Sequence, residues 1–151
     1  MNKKELAAII NEKAAQYKDY TAENLSKLVK IKSLSGEEKA VQEEVMRQMH
    51  EAGFDEVKMD GLGNVLGRVG SGKKVLAIDG HIDTVDVGNP ENWNIDPFSG
   101  LIADGFVHGR GTVDQKGGIA SAITAGRILK EIGLENDITV WVVASVMEED
   151  C

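Results

Sequence analysis

Three short stretches hold side chains that can bind divalent metal and move protons. They are Gly80-His81-Ile82-Asp83-Thr84-Val85, Gly109-Arg110-Gly111-Thr112-Val113-Asp114-Gln115-Lys116-Gly117-Gly118, and Met147-Glu148-Glu149-Asp150. An imidazole with carboxylates and no thiolate is a donor set suited to zinc, cobalt or manganese. The two oxygens of Asp114 could bridge two cations, and cations about 3.5–4 Å apart can hold and acidify one water. A carboxylate beside that water, not itself a ligand, can take its proton. Adjacent Glu148 and Glu149 could divide these tasks, since successive side chains past a strand point different ways. Asp83, two residues after His81, could reach the far imidazole nitrogen and fix its tautomer.

Each stretch also has an ordinary reading. His81 alone reads as a structural histidine, the glycine-rich stretch as a strand-to-helix connection, and Glu148-Glu149-Asp150 as an acidic surface run. His50 and His108 read as structural or solvated, and Trp93 and Phe98 as loop anchors. Arg110 and Lys116 could touch a substrate carboxylate or simply pack. What favours chemistry is the position of the three stretches relative to the elements around them.

Residues 3–32 are rich in Ala, Lys, Glu and Leu and read as helix, broken near Asp19-Tyr20-Thr21, with Thr21 as a helix cap. Leu25, Leu28, Val29 and Ile31 give that segment an apolar face. Ser35 and Glu38 fit a capping box opening a helix to about Ala52, with Val41, Val45, Met46 and Met49 inward and Gly53 closing it. The period then changes to that of strands. Glu56–Met59 and Asn64–Val69 flank a turn at residues 60–63. Val75-Leu76-Ala77-Ile78 is a continuous apolar run, expected in a strand buried on both faces. A long loop at 86–99 follows, then a hairpin around Asp104-Gly105. A helix from Gln115 to about Ile132 has Ile119, Ala122, Ile123, Ala125, Ile128, Leu129 and Ile132 inward. Ile138–Ala144 is the most apolar strand.

This order predicts one α/β domain over residues 1–151, a layered and partly parallel sheet with flanking helices. Side chains at the carboxyl ends of strands in such sheets converge on one crevice. His81 and Asp83 follow one apolar strand, Glu148 and Glu149 the other, and Asp114 follows the hairpin.

Composition excludes some partners. The net charge of −8 argues against nucleic acid and anionic membranes, both of which need basic surface. No apolar run is long enough to span a membrane. The apolar run at residues 6–10 is too short for a signal peptide. The single cysteine, Cys151, permits no internal disulfide. The expected location is the cytoplasm.

The three stretches, in this order and with 33 residues from His81 to Asp114 and 34 from Asp114 to Glu148, resemble the N-terminal motifs of the M20 family of di-zinc peptidases and deacylases. That family includes carboxypeptidase G2, acetylornithine deacetylase, succinyl-diaminopimelate desuccinylase and peptidase T. Trp93 and Asp96-Pro97-Phe98 also resemble the family's loop before the glycine-rich motif. The residues around Met147–Cys151 are most similar to a subgroup linked to selenium metabolism. The resemblance implies a truncated zinc-peptidase-like catalytic domain that hydrolyses amide bonds in peptides or N-acyl amino acids. It implies two divalent metals, zinc first, with cobalt or manganese as alternatives. His81 would ligate one metal, Asp114 bridge both, and Glu149 ligate the other. Glu148 would be the general base, and Asp83 would orient His81. The Asp114–Gln115 peptide is expected in cis, and the full-length protein as a homodimer.

The family has further ligands, a dimerisation domain and more strands beyond the point matching Cys151. The chain therefore reads as the N-terminal portion of such a domain, and the alternative reading is a catalytically incomplete fragment that keeps the fold and part of the metal site. The strand Ile138–Ala144 would then lack one neighbour and form an exposed edge prone to association.

Overall fold

The computed structural model describes residues 2–133 and 138–150. Helices α1 (Lys3–Gln16), α2 (Lys18–Val29) and α3 (Lys39–Glu51) precede strands β1 (Glu56–Met59), β2 (Val65–Val69) and β3 (Lys74–His81). The small hairpin β4 (Leu101–Ala103) and β5 (Phe106–His108), helix α4 (Lys116–Glu131) and strand β6 (Ile138–Ser145) follow. The main sheet has the order β1-β2-β6-β3. The pairs β1–β2 and β2–β6 are antiparallel, and β3 runs parallel to β6. The expected α/β class with a partly parallel sheet is therefore observed.

Alternation along β2 and β6 sets the faces. Val65, Gly67 and Val69 pair with Ala144, Val142 and Val140, and all six are buried. Val65, Val69, Val142 and Ala144 join Leu28, Val41, Val45, Met49, Ile119 and Ile123 in the core under α2, α3 and α4. Gly67 and Gly126 have a packing reason: a Cβ on either would lie 2.5–2.6 Å from the Phe54 ring. On the opposite face Arg68 meets Glu56 at 3.1 Å, and Lys58 lies over the Trp141 ring at 4.9 Å.

Several local expectations are corrected. The break between the first two helices falls at Tyr17, and Thr21 lies inside α2, where its hydroxyl donates to the Tyr17 carbonyl at 2.8 Å. The helix α3 starts at Lys39 with no side-chain cap, because Ser35 and Glu38 bond elsewhere. Ala125 is exposed. The apolar run in β3 is not buried on both faces: Val75 is 67% exposed and Leu76 54%. Strand β3 is an edge of the sheet, as β1 is at the other end, and only its last residues, Gly80 and His81, are buried. The expected open edge at β6 is likewise wrong, since β6 lies between β2 and β3. The loop carrying Ser33 to Ser35 and helix α4 crowd the carboxyl end of β3, and that is where its cover lies.

Candidate metal centre

The parallel pairing of β3 with β6 places His81 opposite Ser145. The ladder continues one step further, with the Ile82 amide donating to the Ser145 carbonyl at 3.0 Å. Both chains therefore leave the sheet at the same point, with Ile82 anchored in the core at 0% exposure. This is the carboxyl-end crevice expected of parallel strands.

His81 is 3% exposed and is held at both nitrogens. Nδ1 lies 3.0 Å from the Asp83 main-chain carbonyl oxygen, and Nε2 lies 3.0 Å from Asp114 Oδ1. A carbonyl oxygen can only accept, so Nδ1 carries a proton. In the neutral ring Nε2 then presents its lone pair to the crevice. Burial pushes the His81 pKa down, but the hydrogen bonds to Asp114 and Asp83 and the nearby Asp83 and Glu148 carboxylates outweigh it. The net effect raises the His81 pKa above its ordinary value of 6.5. The crevice thus favours positive charge.

Asp114 sits on the glycine-rich loop just before α4, and the Asp114–Gln115 peptide is cis, as expected. The loop is fastened at several points. The Arg110 amide donates to the Pro97 carbonyl at 2.7 Å, Thr112 Oγ1 to the Gly109 carbonyl at 3.0 Å, and the Lys116 amide to the Gly111 carbonyl at 2.9 Å. Gly111 has φ +81, and a Cβ there would stand 2.7 Å from the Thr84 methyl group.

Glu148 and Glu149 follow the turn at Met147, whose φ is 57. One ligand atom each of His81, Asp114 and Glu149 lies within 4.8 Å of the others. Glu148 Oε2 is 3.7 Å from His81 Nε2. The structure therefore brings His81, Asp114, Glu148 and Glu149 to one place. A buried imidazole lone pair and two carboxylates, without thiolate, fit a divalent cation.

Asp83 lies beneath them, fully buried. Its carboxylate is 3.4 Å from His81 Nδ1 and is engaged elsewhere. It accepts from Ser35 Oγ at 2.6 Å and from the amides of Glu148 and Glu149 at 3.2 and 3.1 Å. Burial raises its pKa, but these donors prevail and hold it below the usual carboxylate range. The ring is steadied by the Asp83 main chain more closely than by its side chain.

Other candidates lie outside the cluster. Lys116 is fully buried and donates from Nζ to the carbonyls of Leu28 and Ile31, so it does not face a substrate. Arg110 stacks on Trp93 at 5.2 Å. His50 is exposed, and His108 lies in β5. Residue typing alone missed Ser35, Glu38 and Asn64, which bond to Asp83 or to the chain leaving β6. The only sequence signal for two of them is the Ser-x-x-Glu pattern, which reads as a cap.

Comparisons with known proteins agree with this geometry. The model of "Peptidase family M20/M25/M40" matches residues 77–151. The uncharacterized protein YgeY of Escherichia coli (strain K12) is 46% identical over 143 residues, covering 95% of this chain and 36% of YgeY. A probable succinyl-diaminopimelate desuccinylase of Staphylococcus epidermidis is 39% identical over 90 residues, covering 60% of this chain and 22% of that protein. The di-peptidase Dug1p of Saccharomyces cerevisiae superposes with a TM-score of 0.78 at 23% identity, covering 95% of this chain and 35% of Dug1p. The chain spans about a third of the length of YgeY. With the motifs, the fold and the relatives in agreement, the chain belongs to peptidase family M20/M25/M40 and corresponds to part of that family's catalytic domain.

Proposed function

We propose that this chain carries metal-binding and catalytic residues of a metal-dependent hydrolase acting on amide bonds in peptides or N-acyl amino acids. The observation behind this reading is the convergence of His81, Asp114 and Glu149 within 4.8 Å, with Glu148 beside them. Zinc is the first choice among ions, with cobalt or manganese as alternatives, and the centre takes two of them. His81 Nε2 and Glu149 would hold separate cations, with Asp114 shared between them. The cations, when bound, supply Lewis acidity to the amide carbonyl and to the attacking water.

The remaining work falls to the chain's own groups. Glu148 is 60% exposed at the mouth of the crevice, where it can take a proton from the attacking water and return it to the leaving amine. Asp83 and its main-chain carbonyl keep His81 Nδ1 protonated and Nε2 facing the site. The net charge of −8 fits a small-molecule or peptide substrate better than nucleic acid or a membrane. Among the described residues no helix is long and apolar enough to cross a membrane. We assign the enzyme to the cytoplasm and the full-length protein to a homodimer.

A second reading has its own support. Three donor groups meet among the described residues, fewer than two tetrahedral ions need. A fragment that keeps the fold and binds one ion is consistent with that count.

Elemental analysis of the zinc-equilibrated 151-residue chain separates the readings. Two ions per chain support the dinuclear centre, and one supports the fragment. Hydrolysis of N-acyl amino acids by the enzyme should fall about 10²–10⁴-fold in Glu148→Gln with metal content unchanged. Undiminished turnover in that variant would remove Glu148 from its role.

A further inference from the structure

The chain leaving β6 is held by side chains from three separate segments. The Val146 amide donates to Asn64 Oδ1 at 3.1 Å, from the β1–β2 connection. The Met147 amide donates to Glu38 Oε1 at 2.9 Å, at the start of α3. The Glu148 and Glu149 amides donate to the two oxygens of Asp83 at 3.2 and 3.1 Å. Ser35 Oγ donates to Asp83 Oδ2 at 2.6 Å. Each amide from Val146 to Glu149 therefore meets a side-chain oxygen after the ladder has ended.

Glu38 is 5% exposed, and Asp83 is fully buried. Burying carboxylates is costly unless hydrogen bonds compensate. The Ser-x-x-Glu pattern therefore does something other than cap a helix. We infer that Ser35 and Glu38 are positioning residues that set the backbone of Met147–Glu149, and so the placement of Glu148 and Glu149 against His81 and Asp114. This rests on the proposed metal centre and adds to it residues that touch no ligand.

The need for such a brace follows from geometry. Glu148 and Glu149 have long side chains just past a strand end, on a turn with φ 57 at Met147. Each bond between backbone and carboxylate multiplies a backbone error, and catalytic constellations need placement to about 0.5 Å. Glu38 acts directly on Met147. Ser35 acts through Asp83, sharing the oxygen that receives the Glu149 amide.

The test uses the 151-residue chain with two readouts, amide hydrogen exchange by NMR without metal and cobalt(II) affinity from visible absorption. The variants are Glu38→Ala, Glu38→Gln and Ser35→Ala, with Val57→Ala on distant β1 as a control for general destabilisation. Glu38→Ala should speed exchange at Met147 at least tenfold more than at residues 139–144 and weaken cobalt(II) binding about 10–100-fold. Glu38→Gln keeps an acceptor oxygen and should restore both. Ser35→Ala should speed exchange chiefly at Glu149. Exchange at 147–149 in Glu38→Ala that matches Val57→Ala would overturn the inference, as would failure of Glu38→Gln to restore it. Absence of cobalt(II) binding by the unaltered chain would overturn the metal reading alone, because exchange reports the brace without metal.

Discussion

Lys116 Nζ donates to the Ile31 carbonyl oxygen at 2.8 Å and to that of Leu28 at 3.1 Å, so the first residue of α4 fastens the end of α2. The lysine is fully buried. Burial pushes its pKa down to about 8, against a weaker opposing pull from Asp83. A neutral amine has two N–H bonds, matching its two carbonyl partners.

That arrangement predicts an alkaline stability window. The folded pKa of about 8 lies below the ordinary lysine value of 10.5, so between them the unfolded chain holds more protons. Stability should rise from pH 8 to 10. Lys116→Met should lose this rise and cost about 1–3 kcal/mol by orphaning two buried carbonyls. Urea unfolding across that range checks both expectations.

The same sign, in an acid window, applies to Asp55. Its carboxylate accepts from Lys130 Nζ at 2.5 Å and from the Gly70 amide at 2.7 Å, tying α4 to both ends of the β1–β2 hairpin. The lysine bond and the amide hold its pKa below the usual carboxylate range. The stability it contributes is present above an ordinary carboxylate pKa of about 3.9 and lost as pH falls through the folded value. Asp55→Asn should cost about 0.2–1 kcal/mol at pH 7, given the partial exposure of the pair. Its acid unfolding curve should be shallower than that of the unaltered chain.

Gly117 lies in the first turn of α4, where alanine would ordinarily stabilise a helix. Here a Cβ would fall on the Thr112 carbonyl oxygen, in the loop that carries Asp114. Backbone cannot swing aside as a side chain can. Gly117→Ala should therefore destabilise by about 1–3 kcal/mol and weaken zinc binding as Asp114 moves. Calorimetric melting and a zinc titration would show whether both changes occur together.

The open edge sits on β3. Val75 and Leu76 expose apolar side chains on a strand whose outer side has no partner among the described residues. Such edges recruit other strands, and a charge on them discourages it. Val75→Lys should reduce concentration-dependent association in analytical ultracentrifugation, with little change in the unfolding midpoint. Equal association in both proteins would place the contact elsewhere.

Much of the fold is legible in the residues. The β1–β2 hairpin, the β4–β5 hairpin and α4 follow from period, turn chemistry and glycine stops, all local properties. The order of strands is not local. An apolar run such as Val75–Ile78 reports a preference for burial, and it cannot say which neighbours lie on either side. The metal-type side chains are legible because His81, Asp114 and Glu149 have uncommon chemistry at telling places. Ser35 and Glu38 are hidden because the same two residues satisfy a helix-capping pattern, and only the path of the chain after β6 shows which amides they serve. Lys116 is hidden for a related reason, since a lysine beside a glycine-rich loop suggests a ligand contact until its burial is known.

The in-register pairing of His81 with Ser145 also bears on how this protein can vary. A strand advances about 3.3 Å per residue and turns its side chains over at each step. One residue gained or lost inside β3 or β6 would carry a metal-type side chain past its partners and point it into the opposite layer. Loops such as 86–99 can lengthen without that penalty. Lineages of this protein should therefore tolerate many changes of residue in these two strands and almost no change in their length.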